Sequence, residues 1–291
     1  MIDSHLHLQD ERLQAHLAGI LATVRGAGVS RMLVNGTHPE DWASVENLSF
    51  RFPGILPSFG LHPWWVSEVT DGWGEMLEAF LQRNPSAGVG EIGLDKWIKG
   101  ANFNRQREVF TEQLKIAQRL SRPVSMHCLQ AWGSLRECLD RSDLAPGFLL
   151  HSYSGPLEMV GDFVDRGAYF SISGYFFRPE KADKLSLFES IPDDRILLET
   201  DSPDMMPPIE LVKFPLPSGR SGGAVNHPGN ITSIYEAFSA WRGIPVNEVI
   251  KRTRENFETW FFDGERKRFA GNAGDYPEIA ASMTSESESM V

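Results

Sequence analysis

Gly88-Val89-Gly90-Glu91-Ile92-Gly93-Leu94-Asp95, the stretch from Arg105 to Leu120, and Pro123-Val124-Ser125-Met126-His127 read in succession as strand, helix, strand. In the middle piece Val109, Phe110, Leu114, Ile116, Ala117 and Leu120 fall near one face at helical spacing. Pro123 stops that helix and opens the next strand. Outward from this unit, apolar runs suited to strands begin near Ile2, Met32, Ile55, Ala87, Pro123, Gly147, Tyr169 and Ile196. Their spacing of roughly 20 to 35 residues is one strand, one helix and two loops. Eight such units predict an α/β fold, a TIM-type (β/α)8 barrel. Two further helices are expected over about Ile231–Arg242 and Val246–Phe261. A single barrel domain is expected over residues 1–265. Residues 270–291 are small and acidic and are expected to be a disordered, non-catalytic tail.

The chain has 291 residues, 41% of them hydrophobic, which is enough for a sizeable core. No apolar run approaches the roughly 18 residues that would suggest a membrane span, and residues 1–5 do not open a signal peptide. A cytoplasmic protein is expected, with a monomer as the default. Cys128 and Cys138 are expected to be free thiols, since a reducing compartment disfavours disulfides. The net charge of −11 excludes nucleic-acid binding through the overall field. A nucleic-acid substrate would need local contacts in a cleft; the alternative is a small substrate.

His5 and His7 lie two apart at the end of the first strand, on one side of it. Glu91 is placed at the end of the fourth strand, His127 of the fifth, His151 of the sixth and Asp201 of the eighth. Each alone has an ordinary structural reading. Together they converge on one barrel mouth, where active sites of this fold sit. Imidazole and carboxylate suit a pair of divalent metal ions, Zn²⁺, Mn²⁺ or Mg²⁺. Asp201 is also a candidate acceptor for a proton from water. The stretch from Pro203 to Pro228, rich in Pro, Gly and Ser, is expected to form a long loop over the mouth.

Asp3-Ser4-His5-Leu6-His7-Leu8, Gly60-Leu61-His62-Pro63, Gly90-Glu91-Ile92-Gly93-Leu94-Asp95, Pro123-Val124 with His127, His151-Ser152-Tyr153-Ser154-Gly155 and Glu199-Thr200-Asp201-Ser202-Pro203 resemble the successive signatures of the TatD family. Gln106, Phe110, Gln113, Leu114 and Ala117 match its central helix, and Asn256-Phe257 its C-terminal one. The resemblance runs from residue 2 to about 261. It implies a barrel hydrolase with one metal on His5, His7, Glu91 and Asp201. It implies a second on Glu91, His127 and His151, with Glu91 bridging. The implied activity is metal-dependent hydrolysis of DNA. His62 would face the substrate, and Glu199 would orient a ligand.

The substrate wall departs from the family pattern. The usual His-x-Arg of the fifth strand is His127-Cys128-Leu129, a tyrosine is replaced by Lys96, and Arg-Asn-Glu-Pro appears as Val225-Asn226-His227-Pro228. Lys96, Lys99, Arg178, Lys213 or Arg220 are candidates for the missing local charge, and His227 for a substrate contact. The competing readings are a two-metal hydrolase of a small ester, lactone or amide, and a non-catalytic metal-binding scaffold. A scaffold predicts loss of at least one ligand position, and none is lost.

Overall fold

The computed structural model describes residues 1–144, 147–218 and 223–271, with side chains as far as residue 262. Eight parallel strands follow one another in order around the barrel: β1 (Ile2–Leu6), β2 (Arg31–Asn35), β3 (Ile55–Phe59), β4 (Gly88–Asp95), β5 (Val124–Leu129), β6 (Phe148–Leu150), β7 (Ala168–Ser173) and β8 (Ile196–Glu199). Each begins within a residue of the position expected from sequence. The helices are α1 (Glu11–Gln14), α2 (Leu17–Gly26), α3 (Pro39–Arg51), α4 (Trp73–Arg83), α5 (Phe103–Arg119), α6 (Trp132–Leu139), α7 (Val160–Asp165), α8 (Ala182–Leu187), α9 (Ile231–Arg242) and α10 (Val246–Gly271). Among the described residues no helix is long and apolar enough to cross a membrane.

Local chemistry sets the element ends. The Asn102 side chain accepts the Arg105 N–H at 3.1 Å and caps α5, whose Val109, Phe110, Leu114, Ile116 and Ala117 are buried. Gly243 closes α9 in the left-handed region at φ 65°. In β4 every residue is buried. Gly93 there has φ 154°, and a Cβ on it would lie 1.9 Å from the His127 carbonyl oxygen, so β4 and β5 can approach only with glycine at this position. Cys128 and Cys138 are buried free thiols, as expected.

The last helix continues past Phe261 to Gly271, further than expected. Glu265-Arg266-Lys267-Arg268 are good helix formers, and the apolar periodicity that marked its end stops earlier than the helix does. The tail from residue 272 and Arg220 lie outside the described residues.

The N-terminal half of the barrel is filled from below. Phe257, Trp260 and Phe261 of α10 cluster with Ile2, Leu33, Leu149, Tyr169 and Leu197, each in the first half or at the middle of its strand. Asn256 fixes this plug: its Nδ2 donates to the carbonyls of Asp193 and Ile196, both at 2.8 Å. Asn256→Ala is expected to cost about 1–2 kcal/mol, the value of two lost bonds to buried carbonyls. Urea denaturation should show it as a lower midpoint, and an unchanged midpoint would deny Asn256 this role. With the lower end plugged, the barrel opens at the C-terminal ends of its strands.

Candidate metal centre

Glu91 is buried and stands at the centre of five imidazoles. Its Oε2 lies 3.3 Å from His5 Nε2 and 3.2 Å from His7 Nε2. Its Oε1 lies 3.3 Å from His62 Nε2, 3.1 Å from His127 Nδ1 and 2.8 Å from His151 Nε2. Asp201 Oδ1 joins the first group, 3.7 Å from His5 Nε2 and 3.5 Å from His7 Nε2. One carboxylate thus divides the histidines into two sets, one on each oxygen.

Most of these rings are oriented from behind. His7 Nδ1 donates to the Asn35 carbonyl at 2.9 Å, which turns Nε2 toward the carboxylates. His127 Nε2 bonds Asp95 Oδ2 at 3.0 Å, which leaves Nδ1 for Glu91. His5 Nδ1 lies 2.9 Å from Ser125 Oγ and 3.2 Å from Asn35 Nδ2. Glu199 is buried beside His151, 3.6 Å from its Nδ1, and accepts from Ser152 Oγ at 2.5 Å and from Ser171 Oγ. Carboxylate or carbonyl partners behind metal-binding imidazoles fix both tautomer and ring plane.

His62 differs. Its Nδ1 accepts the Trp64 backbone N–H at 3.2 Å, so the ring proton rides on Nε2 and points at Glu91 Oε1. Although His62, Glu91 and His127 are close enough to share an ion, this tautomer makes His62 a hydrogen-bond donor to Glu91.

The electrostatics follow the same division. Burial pushes His62 down to about 4, keeping it neutral. Burial and the nearby His151 lower His5. Burial works against protonation of His7 too, but its bonds to Asp201 and Glu91 outweigh that and raise it well above the usual value. Burial would raise Glu91, yet the surrounding His151, His62 and His5 hold it well below the ordinary carboxylate range. A concentration of perturbed groups at one barrel mouth marks a functional site.

The donor set fits divalent cations. His5 Nε2 is buried without a hydrogen-bond partner although it faces Glu91 and Asp201. A buried nitrogen lone pair beside two carboxylates is unfavourable unless a cation takes it. His5, His7 and Asp201 present ligand atoms close enough together to share one ion.

The cluster lies at the floor of a cleft of about 1150 Å³. Trp64, Trp65, Trp97 and Trp132 line part of its wall, with Leu129 among them; Arg12, Lys181 and Lys184 are its cations. Five described residues proposed from sequence to supply local charge or a substrate contact, Lys96, Lys99, Arg178, Lys213 and His227, lie outside this lining. Lys96 Nζ sits 4.4 Å over the Phe103 ring. Arg178 donates to the Met206 carbonyl at 2.9 Å. His227 Nδ1 accepts the Gly229 N–H at 2.7 Å and caps a short turn, its ring tilted against Phe214. Lys213 is paired with Glu236. The long loop after β8 does reach the cleft, through Asp204 and Met205.

Asp95, Asn35 and Ser125 were not singled out from sequence. Asp95 could have been, because it closes the quoted Gly93-Leu94-Asp95 motif four residues after Glu91 in a strand, on the same face.

Imidazole nitrogens and carboxylate oxygens converging at the open end of a (β/α)8 barrel put the chain in the class of metal-dependent hydrolases. The TatD related DNase family matches it over residues 2–262, and the chain belongs to that family. It is 29% identical to the metal-dependent hydrolase YjjV of Escherichia coli over 262 residues, which cover 89% of this chain and 97% of YjjV. It is 31% identical to the 3'-5' ssDNA/RNA exonuclease TatD of Cronobacter sakazakii over 245 residues, 84% of this chain and 90% of that one. The crystal structure of E. coli YjjV superposes with a TM-score of 0.80 at 29% identity, covering 90% of this chain and 97% of the other.

Proposed function

We propose that this chain hydrolyses phosphodiester bonds in nucleic acid with two divalent cations, which Glu91 would hold between two sets of histidines. His5, His7 and Asp201 complete one site, and His127 and His151 the other. The observation that carries this reading is the division of the imidazoles between Glu91 Oε1 and Oε2. Bound there, the cations supply a more acidic water and neutralise charge on the phosphate and leaving oxygens.

The protein's own groups do the rest. Asp201, at the cleft wall beside His5 and His7, takes the proton of the attacking water. His62 holds Glu91 through its Nε2–H, and Asp95 and Glu199 hold His127 and His151. Lys181 and Lys184 supply the local positive charge that the acidic chain lacks overall. TatD-named relatives are called 3'-5' ssDNA/RNA exonucleases, and we extend that substrate class to this chain.

Leu129 favours a second reading. It lines the cleft where the family pattern carries a phosphate-binding arginine, and Arg12 is already held by Asp10 and Asp204 at 2.8–2.9 Å. A small carboxylic ester, lactone or amide would suit such a wall. The two separate in one assay. Metal-stripped protein is given Mg²⁺, Mn²⁺ or Zn²⁺ and then single-stranded DNA, duplex DNA, RNA, a p-nitrophenyl phosphodiester or a carboxylic ester. Metal-dependent loss of nucleic acid is expected. Turnover of carboxylic esters alone would establish the second reading and end the first.

A further inference from the structure

The cleft has two unlike sides. Trp64 and Trp65 follow β3, Trp97 follows β4 and Trp132 follows β5, whereas Arg12 follows β1 and Lys181 and Lys184 follow β7. With the strands in sequential order around a barrel, these groups of loops face each other across the mouth. One side is aromatic; on the other, the loop after β7 presents Lys181 and Lys184, while Asp10, Glu11 and Asp204 line the cleft beside Arg12, with the Glu91 cluster between the two sides.

Two of the indoles are left open. Trp97 is 66% exposed and Trp64 is 51% exposed, and both line the cleft. Both are held by the carboxylate that holds His127. Asp95 Oδ2 accepts from Trp64 Nε1 at 2.8 Å and from His127 Nε2 at 3.0 Å, and Asp95 Oδ1 accepts the Trp97 backbone N–H at 2.7 Å. The indole of Trp64 also meets the His62 ring edge to face, at 5.1 Å between centroids. The Trp64 ring and the Trp97 backbone are therefore fixed relative to the hydrolytic centre.

We infer that Trp97 and Trp64 form a stacking platform for the unpaired bases of a nucleic-acid strand whose phosphates run along the side of Lys181 and Lys184. This deepens the proposed function, and it rests on that reading for the class of ligand. An indole offers a π-face that any base can cover, so the platform is sequence-tolerant. In a duplex those base faces are already covered by neighbouring base pairs, so the platform selects a single strand. Charge complementarity supplies the other half: the lysines attract phosphate, while the acidic remainder of the surface repels it.

Full-length, metal-loaded protein is tested by fluorescence anisotropy with two cleavage-resistant probes. One is a labelled phosphorothioate oligothymidylate; the other has the same backbone with tetrahydrofuran spacers in place of the bases. The wild type is expected to bind the base-bearing probe about 10-fold or more tightly than the abasic one. Trp97→Ala should bring that preference to within about twofold, and Trp97→Phe, which keeps a π-face, should hold it above about fivefold. Equal binding of the two probes by the wild type overturns the inference. So does a preference that survives Trp97→Ala, or one lost in both variants. Cleavage is read separately: a protein that cuts DNA but binds both probes equally loses only the platform, and one that prefers bases but cuts nothing loses only the hydrolytic reading.

Discussion

Glu91→Ala is expected to lower metal-dependent hydrolysis by about 10³-fold or more, the several kcal/mol of charge stabilisation that bound cations supply. Glu91 lies within 3.3 Å of all five histidine rings of the centre, and its two oxygens serve both proposed sites. Its loss should weaken binding of both ions together. Metal per chain, measured after dialysis, should fall at both sites. The wild type should also lose thermal stability on chelation, because ions that bind only the folded state stabilise it by mass action. That chelator-induced shift in Tm should largely disappear in the variant. Glu91→Gln keeps the shape of the side chain and guards against a folding defect. A variant that retains both ions and wild-type turnover would refute the bridging role.

Asp95→Asn should act on one site only. Asparagine offers one acceptor oxygen for Asp95's two: turned to His127 and Trp64 it sets its NH2 against the Trp97 N–H, and turned the other way it loses both ring bonds. Changes of this kind behind a metal-binding histidine cost about 10–100-fold in metal affinity or activity. The expected signature is a rise of that size in the Mn²⁺ concentration giving half activity, with turnover recovering at high Mn²⁺. Unaltered metal dependence would show that His127 needs no support from Asp95.

Legibility from sequence was uneven for physical reasons. Apolar runs broken by Gly and Pro gave the eight strands, because burial on both faces of a parallel strand demands continuous apolar sequence. The residues that the resemblance named for metal do meet around Glu91, since each stands at or near the mouth end of its own strand. Glu91 itself is not at the end of β4, which runs on to Asp95. The pairing register with β5 shifts between Val89 and Ile92, and a bulge of that kind re-aims a side chain without leaving a mark in the apolar pattern. Lys96, Arg178 and His227 were chosen because they lie in mouth loops, but loop membership does not give side-chain direction. Lys96 turned to Phe103, Arg178 to a carbonyl, and His227 to its own turn. Lys181 and Lys184, on and just before α8, took the cleft instead.

The seam between the first and last strands is stitched by specific groups. Ser4 Oγ donates to the Leu198 carbonyl at 3.0 Å, Thr200 N and Oγ1 donate to Asp3 at 2.9 and 2.6 Å, Asp201 N to His5 O at 3.0 Å, and His7 N to Ser202 O at 2.7 Å. The same seam brings His5 and His7 to Asp201. A ribosome therefore releases most of this chain before Asp201 can join that ligand set, and a fragment ending before residue 201 carries the histidines and Glu91 without it. Closing the ring and completing the candidate ligand set with Asp201 are therefore one event.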